Sequence, residues 1–452
     1  MHLRPEELVL AVRPARVRRL PLRGADLVLA AMPRLWKDAG VSNNVLLVVE
    51  CDGPIAPERI RLALSRLLDS WPWPAARLRR PFPWGRLHWA AGPRATRRPP
   101  AVSHRLVASR QELHRELEAE LNAGIDPARE PPLRVMTIDC EPEAGGARGF
   151  VVLTWFHALM DPHGGQNLLA RLADLDQDGE SAHSGCALTP PEPGPNPLPF
   201  RERGRLARRS VAHLRALASV PPLSPGTGLA LPGRARFRQE SFLDGGPPSG
   251  DTRAKREICW RLALVGKAMA ELWDRRGLPD VPFLVPIAVD LRLKGEPGPT
   301  FGNWLAFHFA RFKPSETADV PGLALALRRE MADAVREGQI EANAVAMEFL
   351  HYRPLSRVLA TLPGTAQRET FSFNCADIMN FPTTLDCVFG RRVVNAYHAP
   401  AVLPRPGIGV FFNRCASHDN LVVSWIEGAV SEDEVARIIE TVREGMGWTA
   451  RA

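Results

Sequence analysis

The run Phe150–Phe156, FVVLTWF, is apolar or β-branched at every position. It shows no alternation of polar and apolar side chains, so it reads as a strand covered on both faces rather than one with a wet side. VLLVVEC (Val45–Cys51), GIGVFFN and NLVVSWIEG are further runs of this kind. Helical patterns lie between them. Ile60, Leu64, Leu67 and Leu68 follow Pro57 at helical spacing, and Leu168, Leu169 and Leu172 share a face after Gly165. Ser109 with Glu112, and Ser431 with Glu434, have the spacing of capping boxes. Strands interleaved with amphipathic helices make the chain α/β.

A length of 452 residues is long for one core, and two domains are expected. The character changes between residues 177 and 255. Pro190–Pro199 holds six prolines in ten residues, which neither a helix nor a central strand accepts. The expected division is therefore 1–176, a linker or crossover over 177–255, and 256–452. Inside that linker, Arg201–Val220 carries six arginines and one glutamate, with Leu206, Val211, Leu214 and Leu217 as a thin apolar stripe. It reads either as a solvated helix packed on one domain or as a contact with an anionic surface or membrane interface. The second half repeats the strand–helix texture without a short internal repeat.

The 45% hydrophobic and 24% charged content is that of a soluble globular protein. The formal charge of +8 invites nucleic acid, but the arginines are spread along the chain and no nucleic-acid motif accompanies them. Anionic small molecules, acidic carrier proteins or anionic lipid surfaces suit the charge as well. The seven cysteines have no C-x-x-C spacing, which leaves no zinc site and no disulfide framework, and a reducing cytoplasm fits best. No apolar run reaches the ~18 residues of a membrane span, and Leu27–Met32 is too short for a signal-peptide core.

After Phe156 come His157, Asp161, Pro162, His163, Gly164 and Gly165. PPLRVMTIDC and GFVVLTWF flank the turn-like EPEAGGARG, so they form a hairpin that presents His157 at its far end. Histidine takes up and returns a proton near neutral pH without a large pKa shift. An aspartate four residues on, across a turn, is poorly placed to pair with it and well placed to lock the turn. On these residues alone, His157 is either a general base or a histidine capping a strand.

The wider sequence resembles the HxxxD acyltransferase superfamily, and the resemblance runs over nearly the whole chain. NAGIDPAREPPLRVMTID is similar to the stretch ahead of the motif strand, and FVVLTWFHALMDPHGG to the strand with its HHxxxDG motif. PIAVDLRLKGEPGPTFGNWLAF is similar to a second-half DLR…GN signature, and the region from VVNAYHAP to SWIEG to a C-terminal strand pair. The wax ester synthase/diacylglycerol acyltransferase-like and condensation-domain-like branches are closest. The resemblance implies an α+β sandwich of two chloramphenicol acetyltransferase-like domains with an active-site tunnel between them. It implies His157 as general base and Asp161 paired with Arg292 to hold the motif loop. Gly302 and Asn303 would line the interface, with His163, Gly164, Ser372 and Asn374 at the substrate, where Ser372 or Asn374 could serve the oxyanion.

The implied reaction moves an acyl group from a CoA or carrier-protein thioester to a hydroxyl or amine. It needs no metal or tightly held cofactor, and the protein would be cytoplasmic or membrane-peripheral. The alternative is a non-catalytic condensation-like protein that binds an acyl ligand or biosynthetic partner. Two positions depart from the pattern. Phe156 stands where the first motif histidine would be, and Pro162 stands where a glycine would follow Asp161. His163 reads as a second base, a substrate contact or a helix N-terminal residue. Trp71, Trp73, Trp84 and Trp89 read as core or as channel lining. His88, His308 and His398 stand alone, with His398 a candidate to face the tunnel.

Overall fold

The computed structural model describes residues 18–81, 85–92, 98–141, 147–176, 198–217, 219–243, 257–292, 298–358, 369–416 and 418–450. Trp84 and most of the proline-rich stretch lie outside them.

In chain order the first elements are β1 (Arg18–Pro21), α1 (Gly24–Ala31), β2 (Asn44–Cys51), α2 (Pro57–Ser70), β3 (Arg77–Arg79), β4 (His88–Ala91), β5 (Ala101–Val107), α3 (Arg110–Asn122), β6 (Leu133–Cys140), β7 (Arg148–Phe156) and α4 (Pro162–Asp176). There follow α5 (Phe200–Leu217), β8 (Ala235–Leu243), α6 (Ile258–Arg276), β9 (Phe283–Asp290), β10 (Leu305–Phe312), α7 (Val320–Arg336) and α8 (Gln339–Glu348). The chain closes with β11 (Asn374–Asn380), β12 (Cys387–Val388), β13 (Arg391–Pro400), β14 (Ile408–Cys415), β15 (His418–Ile426), α9 (Glu432–Met446) and β16 (Thr449–Ala450). The interval expected as linker thus contains a helix, α5, and a strand, β8.

Two larger sheets organise these strands. One runs β12-β13-β2-β7-β6-β5, and the other runs β11-β14-β15-β8-β16. β6 and β7 pair antiparallel, with Leu133 opposite Trp155, and β2 lies on the other side of β7. β13, far along the chain, completes this sheet by pairing antiparallel with β2. β9 and β10 form a separate antiparallel pair.

Both faces of the first sheet are dry at its central strands β2 and β7, as their unbroken apolar runs require, while the edge strand β5 is largely exposed. Val45, Leu47 and Val49 of β2 join one cluster with α2, α4 and the tryptophans Trp73, Trp89 and Trp155. Leu46 and Val48 join another, which also holds Phe237, Phe411 and Val422 of the second sheet. The third cluster packs α6 and α9 on the second sheet's other face. Trp73 and Trp89 are core residues, and Trp71 packs against that core 6.0 Å from the Phe301 ring.

Ser109 and Ser431 cap α3 and α9 through the amides of Glu112 and Glu434. Among the described residues no helix is long and apolar enough to cross a membrane.

Candidate active site

His157 stands one residue beyond β7, and its main chain is held on both sides. Its N–H donates to the Asn43 carbonyl at 2.9 Å, and its own carbonyl accepts from Asn303 Nδ2 at 2.9 Å. The imidazole lines a cavity of about 870 Å³. Nδ1 is buried, with no hydrogen-bond partner among the described residues. Burial pushes the imidazole pKa below its ordinary 6.5, against smaller opposing effects from the Asp161 charge and the Asn303 amide. The ring is therefore neutral, and able to accept a proton, at pH 7.

Asp161 turns away from that cavity. Its Oδ1 accepts the Gly164 N–H at 2.9 Å, which makes it the N-cap of α4. Arg292 Nη2 lies 2.9 and 2.8 Å from the two carboxylate oxygens, and Oδ2 also accepts the Trp304 N–H at 2.9 Å. Both side chains are 5% exposed. One carboxylate thus ties the helix start to the strand that begins at Leu305. The backbone adds two links, a bridge between Met160 and Gly302 and the Gly302 N–H donated to Leu159 at 2.8 Å.

Pro162 is the first residue of α4. At that position proline's missing N–H has no intrahelical partner to lose and its fixed φ suits the helix. The displaced glycines have steric reasons. A Cβ on Gly164 would sit 2.0 Å from the Thr300 carbonyl oxygen, and one on Gly165 would sit 2.7 Å from the Trp155 ring. Gly164 therefore serves a close helix approach, and the cavity wall does not include it. The Trp155 indole donates to the Met160 carbonyl at 2.8 Å, fastening the same loop from below.

The other expected site residues separate. Asn374 lines the cavity. Ser372 does not: it is fully buried, its hydroxyl accepts the Leu284 N–H at 3.1 Å, and it belongs to the seam between β9 and the approach to β11. Asn303 reaches the site through its side-chain amide, which donates to the His157 carbonyl. His163 sits in the first turn of α4, outside the cavity wall and near His398. His398 is buried in β13, its N–H donated to Asn413 Oδ1 at 2.9 Å and its ring edge-on to Trp155. Burial holds its pKa down at about 4. His308 is likewise buried and pushed down to about 4, while His88 packs in the core with Nδ1 3.1 Å from the Arg86 carbonyl. None of these three lines the cavity. Among the described residues no cluster of histidine, cysteine or carboxylate side chains could hold a metal ion.

Two site features were missed. The first is Asp26 in α1, 1% exposed. Its Oδ1 accepts both the Asn303 N–H at 2.7 Å and Asn303 Nδ2 at 2.8 Å, and its Oδ2 accepts the Arg23 N–H at 2.6 Å. Asp26 thereby fixes the amide that holds His157. Burial raises its pKa to about 6 despite those donors. A lone acid in the apolar GADLVLAA was the available signal. The second is α5. Val211 and Leu214, the stripe that raised the membrane reading, are part of the cavity wall together with Gly204 and Ala207. The helix is pinned to α8 by Ser210 Oγ, 2.8 Å from Asn343 Oδ1 in a buried contact. The opposite wall comes from β9, β10, α1 and α8, among them Pro286, Phe309, Val28 and Met347.

No protein-family model matches the chain, and no curated protein does. Solved structures match over almost the full length. The starter condensation domain of rhizomide synthetase RzmA, in a mutant form complexed with C8-CoA, gives a TM-score of 0.65 at 14% identity, covering 95% of this chain and 94% of that one. A further mutant of the same domain, with C8-CoA and Leu-SNAC, gives 0.62 at 14% identity over 95% and 94%. The trichothecene 15-O-acetyltransferase TRI3 from Fusarium sporotrichioides gives 0.65 at 12% identity over 98% and 99%. The chain therefore has the α/β fold of the condensation domains and chloramphenicol acetyltransferase-like acyltransferases.

Proposed function

We propose that the protein transfers an acyl group from a CoA or carrier-protein thioester to a hydroxyl or amine, with His157 as the general base. The observation that carries this reading is the division of labour in the motif loop. The neutral imidazole faces a large apolar cavity, while Asp161 is turned away from it onto Arg292, in a buried pair. The solved structures of like fold include a condensation domain in complex with C8-CoA, which supports the same reading.

In this reading the two halves of the chain act as two domains, and the cavity is the tunnel between them. Nδ1 is buried, so Nε2 is the nitrogen that meets the acceptor. Nε2 takes the acceptor's proton as its oxygen or nitrogen attacks the thioester carbonyl. The tetrahedral intermediate then collapses, the carbon–sulfur bond breaks, and the imidazolium returns its proton to the leaving thiolate. Asn374, on the cavity wall, is the candidate donor to the oxyanion. The apolar wall receives the apolar parts of the substrates.

The test is incubation with a panel of acyl-CoAs and of alcohols and amines, following thiol release and identifying products by mass spectrometry. Acceptor-dependent thiol release is expected from the wild type. If no pair yields product while an acyl-CoA still binds, the non-catalytic ligand-binding alternative takes its place.

A further inference from the structure

The charges on the cavity wall are all of one sign. Arg208 and Arg215 of α5 and Arg353 line it, and no aspartate or glutamate does. Arg208 and Arg215 are seven residues apart, two helical turns, so they project from the same face as Val211 and Leu214.

Three other α5 arginines have partners. Arg209 donates to the Glu337 carbonyl at 2.6 Å, and its guanidinium lies 3.6 Å from the Glu337 carboxylate. Arg205 lies 3.5 Å from Glu202, and Arg203 lies over the Phe200 ring at 5.6 Å. Arg208, Arg215 and Arg353 have no carboxylate at ion-pairing distance among the described residues. Arg203, Arg205 and Arg209 are engaged within the protein, whereas the three cavity arginines are exposed at its wall and free to meet a ligand.

Gly204 adds the second observation. A Cβ built there meets nothing closer than Arg208 Nη1, at 3.9 Å. Most glycines of this fold in helices or at strand ends are pressed against a neighbour, as Gly164 and Gly165 are. Gly204 instead leaves the wall bare, with a guanidinium beside the bare patch. A helix that needed glycine for packing would have no open space there, and a glycine inside a helix costs roughly 1 kcal/mol against alanine.

We propose that the cavity takes an anionic amphiphile, with a long apolar body lying along α5 past Gly204 and an acidic group held by Arg208, Arg215 and Arg353. A volume of about 870 Å³ lies near the upper end of small-molecule sites, so the body is a sizeable one. Arginine suits the acidic end because its donors match a carboxylate or phosphate in pairs. This deepens the acyl-transfer reading by naming the class of its acceptor, an apolar hydroxy or amino acid. It rests on that reading for the acceptor role, although the binding itself needs no turnover.

The test is calorimetric titration of the full chain with dodecanoate, its neutral analogue dodecanol, dodecylammonium, and CoA without an acyl chain. Dodecanoate should bind about tenfold or more tightly than dodecanol, the scale of charge-assisted hydrogen bonds. The triple variant Arg208→Gln, Arg215→Gln, Arg353→Gln should lose that preference and keep its dodecanol affinity. The matching triple Lys variant should recover part of it. Gly204→Trp should weaken both ligands by obstructing the body. These titrations require no turnover, so a failure of acyl transfer leaves the binding result intact. Equal affinity for dodecanoate and dodecanol, or tighter dodecylammonium, would overturn the proposal. So would a triple variant that loses CoA and not dodecanoate, since the arginines would then serve the donor's phosphates.

Discussion

Two parts of the molecule are built to one plan and do different work. β7 has 9 residues and α4 has 15, joined by residues 157–161. β15 has 9 residues and α9 has 15, joined by residues 427–431. Each strand is internal to its sheet, and each helix is capped by the last joining residue, Asp161 in one and Ser431 in the other. At the first joining position one unit has His157, facing the cavity, and the other has the exposed Glu427. Ser431 does what a cap requires and no more. Asp161 caps its helix and also binds Arg292 and the Trp304 amide. What the first unit has beyond the second, a histidine on the cavity and a buried ion pair behind it, is more than a helix start requires, and it is where the proposed function puts its base.

The strongest break in the comparison is His157→Ala. Loss of a general base costs about 10²–10⁴ in rate, so acyl transfer should fall by that factor while the circular dichroism spectrum is kept. Glu427→Ala, at the matching position, should leave activity at the wild-type level. Equal turnover by His157→Ala and wild type would remove the base assignment.

The Asp161–Arg292 pair comes next. Breaking a buried pair leaves one charge stranded, at about 3–5 kcal/mol. Asp161→Ala and Arg292→Ala should each lower Tm more than His157→Ala does. In a double-mutant cycle the two losses should not add. Asp161→Ser, which copies the second unit's cap, should restore the helix start and not the pair. Full recovery of stability by Asp161→Ser would show that capping is all Asp161 contributes.

Acidity separates Asp26 from His157. Asp26 is raised from 3.8 to about 6, so its contribution to stability is complete below pH 3.8 and is lost as pH rises through about 6. By linkage that loss is about 3 kcal/mol. Asp26→Asn keeps an acceptor for Asn303 and removes the titration. The stability of wild type relative to this variant should therefore fall between pH 4 and 7. His157 has the opposite sign: with its pKa lowered, its contribution is lost as pH drops below 6.5. The acid limb of kcat/KM should lie below 6.5 and persist in Asp26→Asn. A limb that vanishes in that variant would belong to Asp26.

The sequence shows local features and conceals pairings across distance. Unbroken apolar runs marked β2, β7, β14 and β15, and serines three residues ahead of glutamates marked the starts of α3 and α9. Nothing local indicated that β13 crosses to pair with β2, because the alternation of a strand says which faces are buried and not which strand lies beside it. The same gap hid the role of α5. A helical stripe of Val211 and Leu214 is equally consistent with a membrane surface, a neighbouring domain or a ligand, and only tertiary placement makes it a cavity wall. Asp26 was hidden for a related reason. A lone acid in an apolar helix signals a partner, but the partner, Asn303, lies 277 residues away. Arg292 came forward as the partner of Asp161 only through resemblance, since 131 residues separate them.

The smallest expected effect tests whether the two units share a folding role. Ser431 Oγ accepts the Glu434 N–H at 3.2 Å, and Glu434 returns a bond to the Ser431 N–H at 2.8 Å. Ser431→Ala removes one of these two bonds. At an exposed helix start the freed amide is met by water, so the cost should be about 1 kcal/mol, the ordinary value for losing a serine cap. Glu434 stays anchored by Arg276, whose Nη2 lies 2.6 Å from Oε2, so the last turn of α6 is undisturbed. Activity should be unchanged, because α9 adds no residue to the cavity wall. The measurement is Tm and turnover on the same preparation, beside Asp161→Ala. A loss of turnover in Ser431→Ala without a matching loss of stability would mean that the second unit is coupled to the site, and that the division drawn between the two is wrong.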